Sequence, residues 1–296
     1  MEELARPSLF FDGRIYRLTD VNQADLEFPT LMFSDGTYFQ AIHWAESVCH
    51  ELATLPQDLR SRNPRELVKL LPIRSAVSSR LFDAQSRVLS LAINTITLIR
   101  RADGKLEFIL HKRDNRATAT FAGHYMVSPI GIFQPATQSP YSAARDCNLW
   151  LNIMREFSEE ILGHPEADGS SGVTINYELD SPYVQLERAR QNGQLRIHYM
   201  GLGMDPMELS PQMLTAMVID QSVFDDAGWS VVERNTEGLL VGHSKSVFGL
   251  QFTRFEEQHI NDLVTLNSLS AASQACITLA WRHRESLLAP TIGDFL

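Results

Sequence analysis

The run Val88-Leu89-Ser90-Leu91-Ala92-Ile93-Asn94-Thr95-Ile96-Thr97-Leu98-Ile99 constrains this chain more than any other segment, because it is rich in β-branched residues and falls into alternation. It predicts a strand. Asp103-Gly104 is a turn signal, and Leu106-Glu107-Phe108-Ile109-Leu110-His111 follows as its hairpin partner. Helical patterns surround this hairpin. Tyr38, Ile42, Ala45, Val48 and Leu52 recur at helical spacing, and Pro64 stands at a plausible helix start. Further along, helices are expected from Asp146, as N-cap, to about Leu162, and over Tyr183 to Gln191. Strands are expected over Leu195 to Gly201 and Leu214 to Ile219, and two helices close the chain. Strands and helices alternate without a regular βαβ rhythm, which predicts a mixed α/β or α+β layer structure.

A chain of 296 residues, 44% of them hydrophobic, can bury a substantial core, so disorder is excluded as an overall description. The 26 Lys and Arg stand against 36 Asp and Glu, a formal charge of −10 that repels polyanions and argues against a nucleic-acid partner. No apolar run of about 18 residues suggests a membrane span, and the first residues resemble no export signal, so a cytoplasmic protein is expected. Three scattered cysteines, Cys49, Cys147 and Cys276, form no C-x-x-C pair and suit reduced thiols. Residues 1–86 are expected to form a mostly helical extension with a short strand or hairpin near Phe10 to Tyr16, and 87–296 the main domain. The apolar face around Ile42, Val48 and Leu52 needs cover, for which a homodimer or a substrate lid is the expectation.

Chemistry concentrates in Arg155-Glu156-Phe157-Ser158-Glu159-Glu160-Ile161-Leu162-Gly163. On a regular helix Leu149, Ile153, Phe157 and Ile161 form a buried stripe, while Glu156, Glu159 and Glu160 fall at i, i+3 and i+4 on another face. Like charges at that spacing oppose the helix by a few tenths (~0.2–0.5) of a kcal/mol each, a cost that a divalent cation reverses. Hard carboxylate oxygens suit Mg²⁺ or Mn²⁺ and leave positions for phosphate oxygens and water.

These residues resemble the R-E-U-x-E-E heart of the Nudix box, in which U is a bulky apolar residue. The setting is similar too: a hairpin, then Pro129-Ile130-Gly131 as the glycine loop, then the acidic helix. The resemblance implies an α/β/α sandwich with a mixed sheet and Mg²⁺- or Mn²⁺-dependent hydrolysis of a diphosphate linkage in a nucleoside diphosphate derivative. It implies Glu156, Glu159 and Glu160 as metal ligands, and Glu156, Glu159 and Arg155 as catalytic residues, with the arginine orienting the glutamates. The front of the box departs from the pattern. Cys147 and Tyr141 stand where a glutamate and a glycine belong, Leu162 takes the final glycine position, and Gly131 requires a loop longer by about ten residues. That degeneracy supports a rival: a Nudix-fold ligand sensor, regulator or biosynthetic component without hydrolysis.

His111, Arg113, His124, Tyr125 and Gly131 are the candidate substrate-binding residues, since they lie at the strand end and loop that lead to the acidic helix. Asp205, Glu208 and Asp220 are positional candidates for a further acidic ligand, whereas Gln212 is neutral where a glutamate would help. The pair Gly201 and Gly203 is too short for a dinucleotide loop.

Overall fold

The computed structural model describes residues 12–22, 30–59, 63–84, 86–113, 123–137, 139–167, 174–233, 238–241, 252–266 and 268–289. Phe10 and Phe11 of the expected first strand lie outside the described residues. In chain order the N-terminal elements are β1 (Arg14–Asn22), β2 (Thr30–Thr37), α1 (Tyr38–Ala53), α2 (Pro64–Lys69) and α3 (Pro72–Val77). The central ones are β3 (Leu89–Ser90), β4 (Ala92–Arg100), β5 (Leu106–Phe108), β6 (Leu110–Arg113), β7 (Tyr125–Met126), β8 (Ile130–Ile132), α4 (Pro140–Asp146) and α5 (Leu149–Glu156), which runs into a π-helical turn, Phe157–Ile161. There follow α6 (Tyr183–Gln191), β9 (Leu195–Met204), β10 (Pro211–Asp220), α7 (Gln221–Ala227), β11 (Gly238–Val241), β12 (Thr253–Arg254), α8 (Glu257–Val264), α9 (Ala271–Arg282) and α10 (Arg284–Leu288).

The main sheet has the order β12-β5-β4-β10-β9, with β8 also on β4. It is mixed: β10 runs parallel to β4 and antiparallel to β9. Both faces are covered, which explains why β4 and β10 carry near-continuous apolar runs. Ile93, Ile99, Met213, Met217 and Ile219 pack on one face beneath Ile153, Phe157 and Ile161 of the acidic segment and beneath Leu186 of α6. Ile96, Leu98, Leu214, Ala216 and Val218 pack on the other against Ile260 and Leu263 of α8 and Cys276, Ile277 and Ala280 of α9. The expected α/β layer architecture with a mixed sheet is therefore present.

Three local expectations are corrected. The strand expected over Leu106–His111 splits at Ile109: β5 stays with β4, while β6 leaves for a small sheet of order β11-β6-β7. The helix expected from Asp146 to Leu162 starts later: Asp146 is the last residue of α4, its carboxylate accepting from the Ala136 N–H, and Asn148 is the cap of α5, accepting from Trp150 and Leu151. The winding then widens over Phe157–Ile161, where Leu162 N–H donates to the Phe157 carbonyl, and Gly163 ends it at φ 73°.

The N-terminal elements share the main core. β3 pairs with β1 through Ser90 and Leu89, and the Tyr16 N–H donates to the Phe133 carbonyl. Val48 of α1 packs against Val77 and Leu209, while Ile42 and Leu52 are partly exposed. Arg74 fastens this layer by donating to the carbonyls of Pro206, Met207 and Val48, while Glu51 accepts from the Ile73 and Arg74 N–H groups. Among the described residues no helix is long and apolar enough to cross a membrane.

Candidate active site

Strand β8 lies beside the N-terminal half of β4, pairing Gly131 with Ile93, and this sets the loop under the acidic segment. A Cβ on Gly131 would fall 2.0 Å from Glu156 Cδ and Oε1. Only glycine admits the carboxylate there. Gly131 thus seats Glu156, and that is the physical need behind a glycine at this position.

The other two glutamates part company with Glu156. Glu160 is buried: its Oε2 accepts from Ser128 Oγ at 2.8 Å and from the Ile130 N–H at 3.3 Å, and its Oε1 stands 3.9 Å from His111 Nδ1. Glu159 is partly exposed, its Oε1 accepting from the Ala167 N–H at 2.8 Å. The expected single acidic face assumed α-helical winding; the π turn redistributes the three carboxylates. Among the described residues no group of three or more His, Cys, Asp or Glu side chains is placed to hold a metal ion.

Arg155 is 2% exposed. It donates to the Gln134 carbonyl, to Asn152 Oδ1 at 2.8 Å and to the Tyr177 hydroxyl at 3.2 Å, with Asp146 Oδ2 3.9 Å off. Burial works against its charge, but Tyr177, Glu156 and Asp146 together outweigh that and keep the guanidinium protonated. Burial likewise pushes the Tyr177 hydroxyl up to about 12, so it remains a neutral partner for the arginine.

His111 is 1% exposed, interior rather than lining a surface at the strand end. Arg113, His124 and Tyr125 lie on the adjoining β6–β7 ladder: the Arg113 N–H donates to the His124 carbonyl, and Lys112 Nζ sits 5.1 Å from the centre of the Tyr125 ring. His111 thus joins Glu160, while Tyr125 packs toward α9 through Leu269. Gln212 accepts from Asn94 Nδ2 inside the sheet, and Asp220 pairs with Arg100. Asp205 accepts from the N–H groups of Met207 and Glu208 in the β9–β10 connection. Gly201 and Gly203 lie within β9. Ser128 and Asn152 were not expected from the sequence: Ser128 meets Glu160, 32 positions away, and Asn152 links Gln134 to Arg155 and Glu156.

Glu156, partly exposed on its glycine seat, is the carboxylate of this segment that a hard cation could use, and Mg²⁺ is commonly held by one or two carboxylates plus substrate phosphates.

No protein-family model matches the chain, and no curated protein matches it. Loose similarity extends to solved structures. An Ap4A hydrolase of C. elegans is 15% identical with a TM-score of 0.33, over 68% of this chain and 99% of that one. A mutT/nudix family protein from Listeria innocua is 14% identical with a TM-score of 0.33, over 68% and 98%. The NUDIX domain of Shewanella oneidensis NrtR, in complex with ADP ribose, is 12% identical with a TM-score of 0.32, over 72% and 97%.

Proposed function

We propose that this chain is a Nudix-type hydrolase that uses Mg²⁺ or Mn²⁺ to cleave a diphosphate linkage in a nucleoside diphosphate derivative. The observation that carries this reading is the Glu156 carboxylate seated on Gly131, in a segment that also bears Glu159 and Glu160. Glu156 is the proposed cation ligand. Glu160 anchors the segment from inside through Ser128 and Ile130, and Glu159 is the proposed base that takes a proton from the attacking water. A bound divalent cation would neutralise charge on the diphosphate oxygens and favour deprotonation of water. Water oxygen forms the new bond to phosphorus as the bridging P–O bond breaks, and both products leave as phosphates. Lys112, Arg113, His124 and Tyr125, on the adjoining ladder, are the proposed contacts to the rest of the substrate.

The test is mass-spectrometric product detection on a panel of nucleoside diphosphate sugars, dinucleotides and nucleoside triphosphates with Mg²⁺ or Mn²⁺, comparing wild type with Glu159→Gln. Metal-dependent cleavage that the variant loses is the expected result. Absence of turnover on every member, together with no metal binding by titration, would overturn it. That outcome would favour the non-hydrolytic sensor, a reading that draws support from the engagement of Glu160 with Ser128 and Ile130.

A further inference from the structure

Asn152 lies one helical turn before Glu156 and is fully buried. Buried amides are kept where every polar atom has a task, because an unsatisfied one costs about 1–3 kcal/mol. Its Oδ1 accepts from the Gln134 N–H at 3.2 Å and from Arg155 Nη2 at 2.8 Å. Both partners can only donate, so the orientation of the amide is fixed and Nδ2 must face the other way. There it meets Glu156 Oε1 at 3.4 Å.

Around this amide the Phe133–Ala136 loop is fastened at three points. Gln134 N–H binds Asn152, the Gln134 carbonyl accepts from Arg155, and Ala136 N–H binds Asp146. The same loop continues β8, which carries Gly131. Asn152 therefore touches both halves of the carboxylate's seat: the side chain of Glu156 directly, and the strand beneath it through Gln134.

We infer that Asn152 is the positioning residue that holds the Glu156 carboxylate in its cation-binding orientation over Gly131, with Arg155 locking the amide rather than touching the glutamates. This rests on the proposed function above. It gives Arg155 a different task from the one the resemblance implies, since the arginine acts on Glu156 through Asn152.

Asn152→Asp separates positioning from folding. The aspartate keeps the acceptor oxygen that Gln134 and Arg155 need, and it replaces the donor facing Glu156 with a second carboxylate oxygen. The experiment uses the full chain as wild type, Asn152→Asp, Glu156→Gln and the double variant, with Mn²⁺ affinity read from the free-ion electron paramagnetic resonance signal and stability from denaturant unfolding. Partners that orient a metal ligand typically contribute about 10–100-fold to metal affinity. Asn152→Asp is accordingly expected to weaken Mn²⁺ binding by about tenfold or more while leaving the far-ultraviolet circular dichroism unchanged. The double variant, in which a glutamine amide faces the aspartate, is expected to be more stable than Asn152→Asp alone. Should Asn152→Asp fail to fold, recovery of folding in the double variant supports the contact, and failure of both overturns it. Wild-type Mn²⁺ affinity in Asn152→Asp, beside a loss in Glu156→Gln, overturns the positioning role and leaves the proposed function standing. Wild-type affinity in Glu156→Gln overturns both.

Discussion

The two faces of the β4–β10 sheet pair are both covered by helices, yet the helices on each face use polar groups differently. Beneath α9 itself the buried polar atoms are small and neutral, although the same face carries the buried Arg196, which donates to the Ala289 carbonyl. Ser273 Oγ accepts from the Val127 N–H and from Ser270 Oγ, and Cys276 Sγ reaches the Asn94 and Thr215 carbonyls. Burial pushes the Cys276 thiol up to about 12, which keeps it protonated and inert. On the α5 face Arg155, Asp146 and Glu160 are all buried. Burying charge is costly even when it is paired, and an apolar replacement of similar volume often serves stability as well or better. Beneath α9 packing is met by small neutral groups, whereas on the α5 face Arg155 engages Asn152, which in turn faces Glu156.

The contrast can be tested at both faces, beginning with the most sensitive point. Arg155→Met removes the guanidinium from Asp146, Asn152, Tyr177 and the Gln134 carbonyl, and leaves Asp146 without its buried countercharge. Denaturant unfolding should register a loss of about 3–5 kcal/mol. Adding Asp146→Asn should recover part of it; an additive double variant would show that the pair is not coupled.

Gly131→Ala comes next. The added methyl meets the end of a side chain that can swing away, so the expected outcome is a displaced Glu156 carboxylate in a folded protein. Turnover should fall about 10²-fold, as for a reacting group misplaced by about 1 Å. A variant that keeps wild-type turnover would remove the seat from the proposed chemistry.

Ser273→Ala, on the opposite face, leaves the Val127 N–H without its acceptor. Stability should drop by about 1–2 kcal/mol with the Mn²⁺ affinity untouched, and a change in affinity would erase the contrast between the faces.

The smallest effect concerns pH. Burial, followed by Asp205, raises the Glu208 carboxyl to about 7 from an ordinary 4.5, although Ser210 opposes this with a hydrogen bond. Between those values the folded state binds more protons than the unfolded state, so stability contributed by the neutral acid is full below about 4.5 and declines as pH rises toward 7. Glu208→Gln should flatten that decline in unfolding measurements from pH 4 to 8, and an unchanged slope would show that another group causes it.

Much of this organisation was legible along the chain. Helical spacing from Tyr38 to Leu52 foretold α1, the pattern over Tyr183–Gln191 foretold α6, and the β-branched run from Val88 gave β4. The layers followed from their alternation. What escaped was the π winding at Phe157–Ile161, the cap at Asn148 and the sheet change at Ile109, because each depends on what a segment meets rather than on its own period. Glu160 illustrates this: as part of a local i, i+4 pair it belongs with Glu156, but Ser128 and Ile130, about thirty positions earlier, draw it inward.

By itself the sequence determined the residue types at the candidate site, the strands and helices that carry them, and the run of acidic residues, since periodicity, capping and charge are properties of neighbours in the chain. Only the tertiary structure decided which glutamate sits on Gly131, which is buried and which faces the Ala167 loop, and that Arg155 serves Asn152. Those assignments are made by hydrogen bonds and close approaches between residues far apart in sequence, Gln134 with Asn152 and Gly131 with Glu156, which exist only once the sheet has placed β8 beneath the acidic segment.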